Sequence, residues 1–147
     1  MAIKVHHKPP DERISWDEYA LDLAKAASQR SEDPFVKVGA CALNKENMVV
    51  AVGYNGLATG KKVDKYFWAV RRERRPYMSH AEANCLSLVK RGEVGLLAVT
   101  LLPCASCATM IASYNIPKVV YEKEYERDMK ALEIFDFYNI ECVKLTG

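Results

Sequence analysis

Segment 96–102 is an almost unbroken apolar run, and Pro103 ends it abruptly. The run is too short to cross a membrane, and a proline at its end is typical of a buried strand that leaves its sheet. A strand that is apolar on both faces requires helices on both sides of the sheet, so this run predicts a layered α/β fold. Cys104 and Cys107 follow at once, at the expected start of the next helix.

The remaining apolar patterns alternate between a helical and a strand spacing. Helices are predicted at 16–30, where Ser15 is a suitable N-cap, at 79–91, at 104–115 and at 126–138. Strands are predicted at 36–43, 48–54, 96–102, 119–122 and 140–145, with the first two joined as a hairpin. The alternation predicts a three-layer α/β/α sandwich around a mixed, largely parallel sheet of about five strands.

Length and net charge restrict the number of domains and the classes of function that the chain can have. With 147 residues, the chain is long enough for one domain with its own core, predicted to span 1–147 with a flexible tail at 1–12. A net charge of +2 is too small to indicate nucleic-acid binding, and no apolar run reaches the length of a membrane span. The N-terminus lacks a signal-peptide core, so a cytoplasmic location and no membrane association are expected.

The cysteines divide into two groups. Their number, 5, is odd, which argues against a disulfide framework and for reduced thiols. Cys41, Cys85 and Cys142 lie in apolar segments and are expected to be core residues. Only Cys104 and Cys107 have the spacing of metal ligands.

Two short motifs carry the candidate chemistry: His80-Ala81-Glu82 and Pro103-Cys104-Ala105-Ser106-Cys107. Each motif begins a predicted helix, where unpaired N–H groups and the helix dipole lower the pKa of a thiol. One imidazole and two thiolates offer three ligands to Zn²⁺, and a water molecule would complete the tetrahedron, as in catalytic zinc sites. Glu82 would then shuttle protons beside a water molecule whose pKa the zinc lowers.

Each motif also has an interpretation without this chemistry. Residues 79–82 match a capping box, in which Glu82 only binds a backbone N–H. The pair of Cys104 and Cys107 is compatible with a redox dithiol, and the three ligands are compatible with a non-catalytic zinc module. The two motifs together favour the catalytic interpretation, because structural zinc sites normally have four protein ligands.

His-x-Glu followed by Pro-Cys-x-x-Cys resembles the signature of the zinc nucleobase deaminases, and the chain is similar to the cytidine deaminase superfamily. Within it, the resemblance is to the deoxycytidylate (dCMP) deaminases. It extends to Arg30-Ser31-Glu32-Asp33-Pro34, to Val38-Gly39-Ala40-Cys41 and to Gly53-Tyr54-Asn55-Gly56. The resemblance implies hydrolysis of dCMP, or of dCTP, to the deoxyuridine nucleotide and ammonia, which supplies pyrimidine precursors for dTTP.

The resemblance also implies which residues bind the substrate. Asn44, at the end of the first strand, is expected to bind the sugar 3′-hydroxyl, and Arg30 and Tyr125 the 5′-phosphate. Arg127 is a further phosphate candidate, and Ala81 is a substrate-binding candidate within the metal motif. By residue type alone, Asn44 suits a turn equally well, and Arg30 suits the end of a helix.

Regulation and assembly are further implications of the resemblance. Many dCMP deaminases respond to dCTP and dTTP at a site that includes the Gly-Tyr-Asn-Gly loop, which here points to Tyr54, Asn55 and Gly56. Mg²⁺ is expected with a triphosphate effector, and a homo-oligomer, either a dimer or a hexamer, is implied.

The basic segment 61–75 either attracts nucleotides or forms a solvated face or subunit contact. A polynucleotide deaminase acting on tRNA or single-stranded DNA is the alternative enzyme.

Overall fold

The computed structural model describes residues 13–145, and the expected tail at 1–12 lies outside the described residues. The helices are α1 (Trp16–Ser28), α2 (Arg71–Arg74), α3 (Ala81–Leu86), α4 (Ala105–Ser113) and α5 (Lys130–Phe137). The strands are β1 (Gly39–Asn44), β2 (Val49–Tyr54), β3 (Gly56–Leu57), β4 (Met78–Ser79), β5 (Val94–Leu101), β6 (Lys118–Lys123) and β7 (Glu141–Lys144). Short 3₁₀ turns at Ala58–Gly60, Lys65–Ala69 and Arg75–Tyr77 lie between β3 and β4.

The central layer is a five-stranded sheet in the order β2-β1-β5-β6-β7. β1 is antiparallel to β2 and to β5, whereas β5, β6 and β7 are parallel. The sheet is mixed, as expected: β2, β5, β6 and β7 run in one direction, and β1 runs in the opposite direction. β2 and β5 run in the same direction with α3 between them in the chain, as a crossover connection requires. β1 lies between these two strands, since it pairs with β2 on one side and with β5 on the other.

Helices cover both faces of the sheet, which confirms the three-layer architecture. On one face α1 packs against residues that include Cys41, Leu43 and Val120. On the other face α3, α4 and α5 pack against intervening strand residues such as Ala42 and Val119. Successive residues of a strand point to opposite faces, so the continuous apolar runs reflect burial on both sides.

The predicted helices all form, but their bounds differ from the prediction, as α1 and α3 illustrate. Ser15 caps α1 as expected, but the helix ends at Ser28 rather than at 30. α3 does not begin at Ser79, because Ser79 pairs with Gly56 in the short β3–β4 ladder and His80 is the N-cap residue. α3 also stops at Leu86, well before 91. Within residues 13–145, no helix is both long and apolar enough to cross a bilayer.

Two glycines allow helices to approach the sheet closely. A Cβ atom on Gly39 would lie 1.8 Å from the carbonyl oxygen of Ala24 in α1. A Cβ atom on Gly53 would lie 2.5 Å from the backbone nitrogen of Cys85 and 2.7 Å from the carbonyl oxygen of Ala81, both in α3. The missing side chains therefore set how near α1 and α3 lie to β1 and β2.

The three cysteines expected in the core lie there to different degrees. Cys41 and Cys85 are buried, which confirms the expectation, and Cys142 is partly buried against the core. Burial raises the pKa of Cys41 to about 11 and that of Cys85 to about 12. Both groups are therefore neutral thiols at physiological pH.

Candidate active site and metal centre

Three side chains with metal-binding atoms converge beyond the carboxyl end of β5. His80 is the N-cap residue of α3, Cys104 is the N-cap residue of α4, and Cys107 lies in the first turn of α4. The Nδ1 atom of His80 lies 3.3 Å from the Sγ atom of Cys107 and 3.6 Å from that of Cys104. The three donor atoms all lie within 4.8 Å of one another. Two helix starts that are distant in sequence therefore meet, as the motifs predict.

The donor atoms have the spacing that a tetrahedral zinc ion requires. Zn–N and Zn–S bonds of about 2.1 and 2.3 Å at tetrahedral angles put neighbouring donors about 3.6 Å apart. The nitrogen–sulfur distances of 3.3 and 3.6 Å are close to that value. No fourth histidine, cysteine or acidic residue joins this cluster in the part of the chain that the structure describes. Three ligands leave one vertex for water or substrate, which is typical of a catalytic zinc site.

A hydrogen bond between the two thiol groups separates their pKa values. Hydrogen bonds with Cys107, which has the largest effect, and with His80 and Ser106 together lower the pKa of Cys104 to about 3, against the opposing effect of burial. The bond between the two thiol groups raises the pKa of Cys107 well above its usual range. The Cys104 thiolate in turn raises the pKa of His80. One sulfur is therefore ready to act as a thiolate ligand, and a cation that binds must displace the proton of the other.

Glu82 is buried beside the metal-binding side chains. Only 4% of the residue is exposed, and burial raises its pKa to about 7. The carboxyl group is therefore close to the midpoint between its protonated and ionised forms at neutral pH, which suits a proton shuttle. The capping box does not form, because His80 is the N-cap residue of α3. The Ser79 hydroxyl instead donates to the Oδ1 atom of Asn84 at 2.8 Å.

The metal-binding cluster lies on a cleft of about 470 Å³. His80, Glu82 and Cys104 contribute to its lining, together with apolar side chains such as Val38 and Leu102. Four arginines from two separate parts of the chain also line it: Arg71, Arg74, Arg75 and Arg127. A cleft of this size with a metal cluster and several cations fits a small anionic ligand.

Arg71 and Tyr125 join the two parts of the chain that carry these arginines. The Nη2 atom of Arg71 donates a hydrogen bond to the Tyr125 hydroxyl. The guanidinium carbon also lies 5.8 Å from the centre of the Tyr125 ring, which is within the range of a cation–π contact. The region around α2 is therefore held against the loop that follows β6.

Asp128 links that loop to the metal-binding helix. Its Oδ2 atom accepts a hydrogen bond of 3.0 Å from the N–H of Ala105, the first residue of α4. Its Oδ1 atom accepts one of 3.1 Å from the N–H of Lys130, and its own N–H donates to the Tyr125 carbonyl at 3.0 Å. This turn explains why α5 begins at Lys130 rather than at 126. One carboxylate thus supports the N-terminal ends of two helices.

Asn44 lies away from the cleft, in contrast to the expectation that it binds the sugar. It pairs with Val94 at the beginning of β5, whereas Cys104 follows the other end of β5. Its side-chain oxygen accepts hydrogen bonds of 2.9 and 3.0 Å from the N–H groups of Glu46 and Met48. Asn44 therefore closes the β1–β2 turn, which is the role that its residue type also suggests.

Arg30 and part of the Gly-Tyr-Asn-Gly loop lie on a second cavity, of about 460 Å³. Arg30, Tyr54 and Gly56 all line this cavity. Asn55 lines the main cleft instead, and its Oδ1 atom accepts a hydrogen bond of 2.9 Å from the Val38 N–H. The predicted phosphate residue Arg30 is thus separated from the main cleft, and the predicted regulatory loop is divided between two cavities.

The structure brings Ala81, Tyr125 and Arg127 to the main cleft. Arg71 and Arg75 also line it, although in the sequence they stand out only as members of the basic segment 61–75. Arginines at 71, 74 and 75 have the spacing of one side of a helical turn, and this pattern is the signal that separates them from the other cations of the segment. Asp128 belongs to no recognisable sequence motif, so its link to α4 could not be predicted.

Known proteins match most of the chain. Residues 14–123 match a family model described as the cytidine and deoxycytidylate deaminase zinc-binding region. The human deoxycytidylate deaminase is 34% identical over 132 residues, covering 85% of this chain and 74% of that protein. The deoxycytidylate deaminase of Mycobacterium phage D29 is 36% identical over 129 residues, covering 76% of this chain and 98% of that protein.

The fold is also similar to that of a solved enzyme. The crystal structure of the dCMP deaminase from the cyanophage S-TIM5, in complex with dCMP and dUMP, has a TM-score of 0.75 and 27% sequence identity, and the match covers 95% of this chain and 100% of that one. The matched family region, 14–123, contains both motifs of the metal-binding cluster. The chain therefore belongs to the family of zinc-binding cytidine and deoxycytidylate deaminases.

Proposed function

We propose that the protein is a zinc-dependent hydrolase that converts dCMP to dUMP with release of ammonia, and thereby supplies pyrimidine precursors for dTTP. The observation that carries this proposal is the convergence of His80, Cys104 and Cys107 with the buried carboxyl group of Glu82 on one cleft. Family membership and the named activity of the relatives support the same reaction.

The proposed mechanism assigns proton transfer to Glu82. His80, Cys104 and Cys107 would hold the zinc ion, which when bound supplies a polarised water molecule at neutral pH. Glu82 accepts a proton from the attacking water and delivers it to N3 of the cytosine ring. It then transfers a second proton to the departing amino group, so that dCMP and one water molecule give dUMP and ammonia. A carboxyl group with a pKa of about 7 can accept and donate protons at neutral pH.

The 5′-phosphate is proposed to bind Arg71, Tyr125 and Arg127, which all line the cleft. A guanidinium group can donate two parallel N–H bonds to phosphate oxygens, and a phenol can donate a further one. Arg30 and Asn44 are not included, because they lie on the second cavity and in the β1–β2 turn. dCTP is the alternative substrate, since Arg75 provides a further cation for a longer phosphate chain.

The test is an assay of ammonia release with dCMP, dCTP, CMP, cytidine, a single-stranded DNA oligonucleotide and tRNA, together with analysis of bound metal. We expect stoichiometric zinc and the highest kcat/KM with dCMP. Deamination restricted to DNA or tRNA would support a polynucleotide deaminase instead. Stoichiometric zinc without activity on any substrate would support a non-catalytic zinc module.

We further propose that dCTP and dTTP, with Mg²⁺, bind as effectors in the second cavity of a homo-oligomeric enzyme, either a dimer or a hexamer. Arg30 supplies a cation and Tyr54 an aromatic ring to this cavity. Asn84 of α3 also lines this cavity, and its Nδ2 atom donates a hydrogen bond of 2.7 Å to the Tyr54 carbonyl. The second cavity therefore borders the helix that carries Glu82. Rates measured with each nucleotide, and sedimentation of the protein, test the two parts separately.

A further inference from the structure

We propose that Asp33 and Arg74 form a positioning pair that sets the preference of the enzyme for a 5′-phosphorylated substrate. The inference rests on the proposed function. It concerns neither the metal ligands nor the groups proposed to contact the phosphate, but the residues that hold those groups in place. The pair joins the loop before β1 to a segment that we call the arginine segment, 65–77, which contains α2 and the 3₁₀ turns on either side of it.

The ion pair is almost completely removed from water. Arg74 donates from Nη1 to the Oδ2 atom of Asp33, and the two side chains are 5% and 4% exposed. The other carboxylate oxygen, Oδ1, accepts hydrogen bonds of 2.8 and 3.0 Å from the N–H groups of Phe35 and Val36. The Asp33 side chain is thus fixed by its own loop, and it offers Arg74 a rigid partner.

Aromatic rings enclose the Arg74 guanidinium. Its carbon lies 5.5 Å from the ring centre of Phe35 and 5.5 Å from that of Trp68. Trp68 belongs to the arginine segment and contacts Phe67 edge-on, with the ring centres 5.2 Å apart. Arg74 therefore ties the segment to the Asp33 loop by charge and by stacking together.

The pair is incompletely satisfied, which argues against a purely stabilising role. Arg74 Nε is buried and has no hydrogen-bond partner among the residues that the structure describes. Buried ion pairs contribute little net stability unless their remaining hydrogen bonds are made, because the desolvation cost is large. Arg74 and Asp33 both line the main cleft, so this cost is incurred where a substrate binds.

The position of Arg74 in the chain explains how it acts on other residues. Arg71 and Arg75 lie within the same turn of chain as Arg74, and both line the cleft. Arg71 also reaches across to the Tyr125 hydroxyl. If Arg74 loses its anchor, Arg71 loses the backbone position from which it is proposed to bind the phosphate, and Arg75 shifts with it. Glu82 and the metal-binding residues keep their positions at α3 and α4.

The test compares steady-state kinetics on dCMP and on deoxycytidine, which lacks the phosphate, in Asp33→Asn, Arg74→Met and Arg74→Lys. dUMP and deoxyuridine used as competitive inhibitors give the same comparison for binding. We expect Asp33→Asn and Arg74→Met to raise KM for dCMP by about tenfold to a hundredfold, the scale of one charge-assisted hydrogen bond to an anion. kcat, and the constants for deoxycytidine and deoxyuridine, should change by less than about threefold. Arg74→Lys, which keeps the charge, should give a smaller rise in KM.

Arg72→Met is the matched control, because Arg72 lies on α2 but is exposed and does not line the cleft. It should leave the KM for dCMP unchanged. Thermal unfolding of each variant reports on folding, and Arg74→Lys provides a measurement if Asp33→Asn does not fold. Folded variants with unchanged KM for dCMP, or failure of all three to fold, would make the pair purely structural and overturn the inference. Wild-type protein that does not deaminate dCMP would instead overturn the proposed function.

Discussion

The Arg71 guanidinium is hydrogen-bonded to the hydroxyl group of Tyr125 and lies 5.8 Å from the centre of that ring. The two residues come from separate parts of the chain, one in α2 and one after β6. A phosphate that enters between them would take over some of the N–H donors of Arg71. Their contact therefore orients both groups before a ligand binds, which lowers the ordering cost of binding.

Tyr125→Phe tests this arrangement. The variant keeps the ring under the guanidinium but removes the hydroxyl, so we expect KM for dCMP to rise by about threefold to tenfold, as for one lost hydrogen bond, with little change in kcat. Steady-state assays on dCMP and deoxycytidine measure the effect. Tyr66→Phe is the control, since Tyr66 lies in the arginine segment but is 73% exposed. Equal effects of the two substitutions would contradict a specific role for Tyr125.

Glu82→Gln tests the proton shuttle. Glutamine has nearly the same shape but cannot accept and return a proton, so kcat should fall by about 10²- to 10⁴-fold, the usual contribution of general acid–base catalysis. Zinc content and thermal stability should stay close to those of the wild type. Ammonia release and metal analysis on the same preparation give both readouts. A variant with zinc and more than a tenth of the wild-type rate would rule out the role proposed for Glu82.

Cys104→Ala tests the metal site. Removal of one of three ligands leaves His80 and Cys107 too few to hold the ion tightly, so we expect purified protein to lose its zinc and its activity together. Cys142→Ala is the control, because Cys142 lies on β7 and is not part of the cluster. Stoichiometric zinc in Cys104→Ala would contradict the ligand assignment.

Asp128→Ala tests the link between α4 and the loop after β6. Loss of a helix cap costs about 0.5–2 kcal/mol of stability. We expect zinc to dissociate faster, because Cys104 is the N-cap residue of α4 and Cys107 lies in its first turn. Ser15→Ala removes a comparable cap from α1, which lies on the other face of the sheet. It should lower the stability without changing zinc release to a chelator. Similar zinc release from both variants would show that Asp128 acts only on stability.

Gly53→Ala tests the contact between α3 and β2. The new methyl group would lie 2.5 Å from the Cys85 backbone nitrogen, so α3 must move away from the sheet. Overpacking of this kind costs about 1–3 kcal/mol, and zinc affinity should fall because His80 caps the same helix. In Gly95→Ala the nearest atom would lie 3.2 Å away, and a smaller loss of stability is expected. Chemical denaturation and chelator competition measure the two effects.

Local signals in the sequence correctly predicted the central strand and the meeting of the metal-binding side chains. The run before Pro103 became β5, and the two motifs placed His80, Cys104 and Cys107 at helix starts that meet. These predictions succeed because proline, helix ends and metal ligands act over a few residues. The hairpin of β1 and β2 was predicted, but the pairing of β1 with β5 could not be inferred, because the order of elements along the chain does not show which edge of the hairpin joins β5.

Binding residues whose position depends on contacts between distant parts of the chain were harder to predict. Arg30 and Arg71 are both arginines near a helix end, and only the fold places one on the second cavity and the other on the main cleft. Asn44 is the last residue of the first strand, as the family resemblance implies, yet the direction of β1 puts it at the edge of the sheet away from Cys104. Sequence patterns indicate which residues can do the chemistry, but the direction of each strand decides which end of the sheet they reach.

The bare backbones of Gly39 and Gly53 also determine where this protein can be re-engineered. β1 lies at contact distance from α1 at Gly39, and β2 from α3 at Gly53. A larger side chain at either junction would disturb the sheet, and at the α3 junction it would disturb the metal centre as well, because His80 caps α3. The arginine segment and the turn before α5 border the cleft without lying in the five-stranded sheet. Libraries aimed at new nucleobase or phosphate selectivity should therefore vary the arginine segment and the turn before α5, and keep the strand–helix junctions constant.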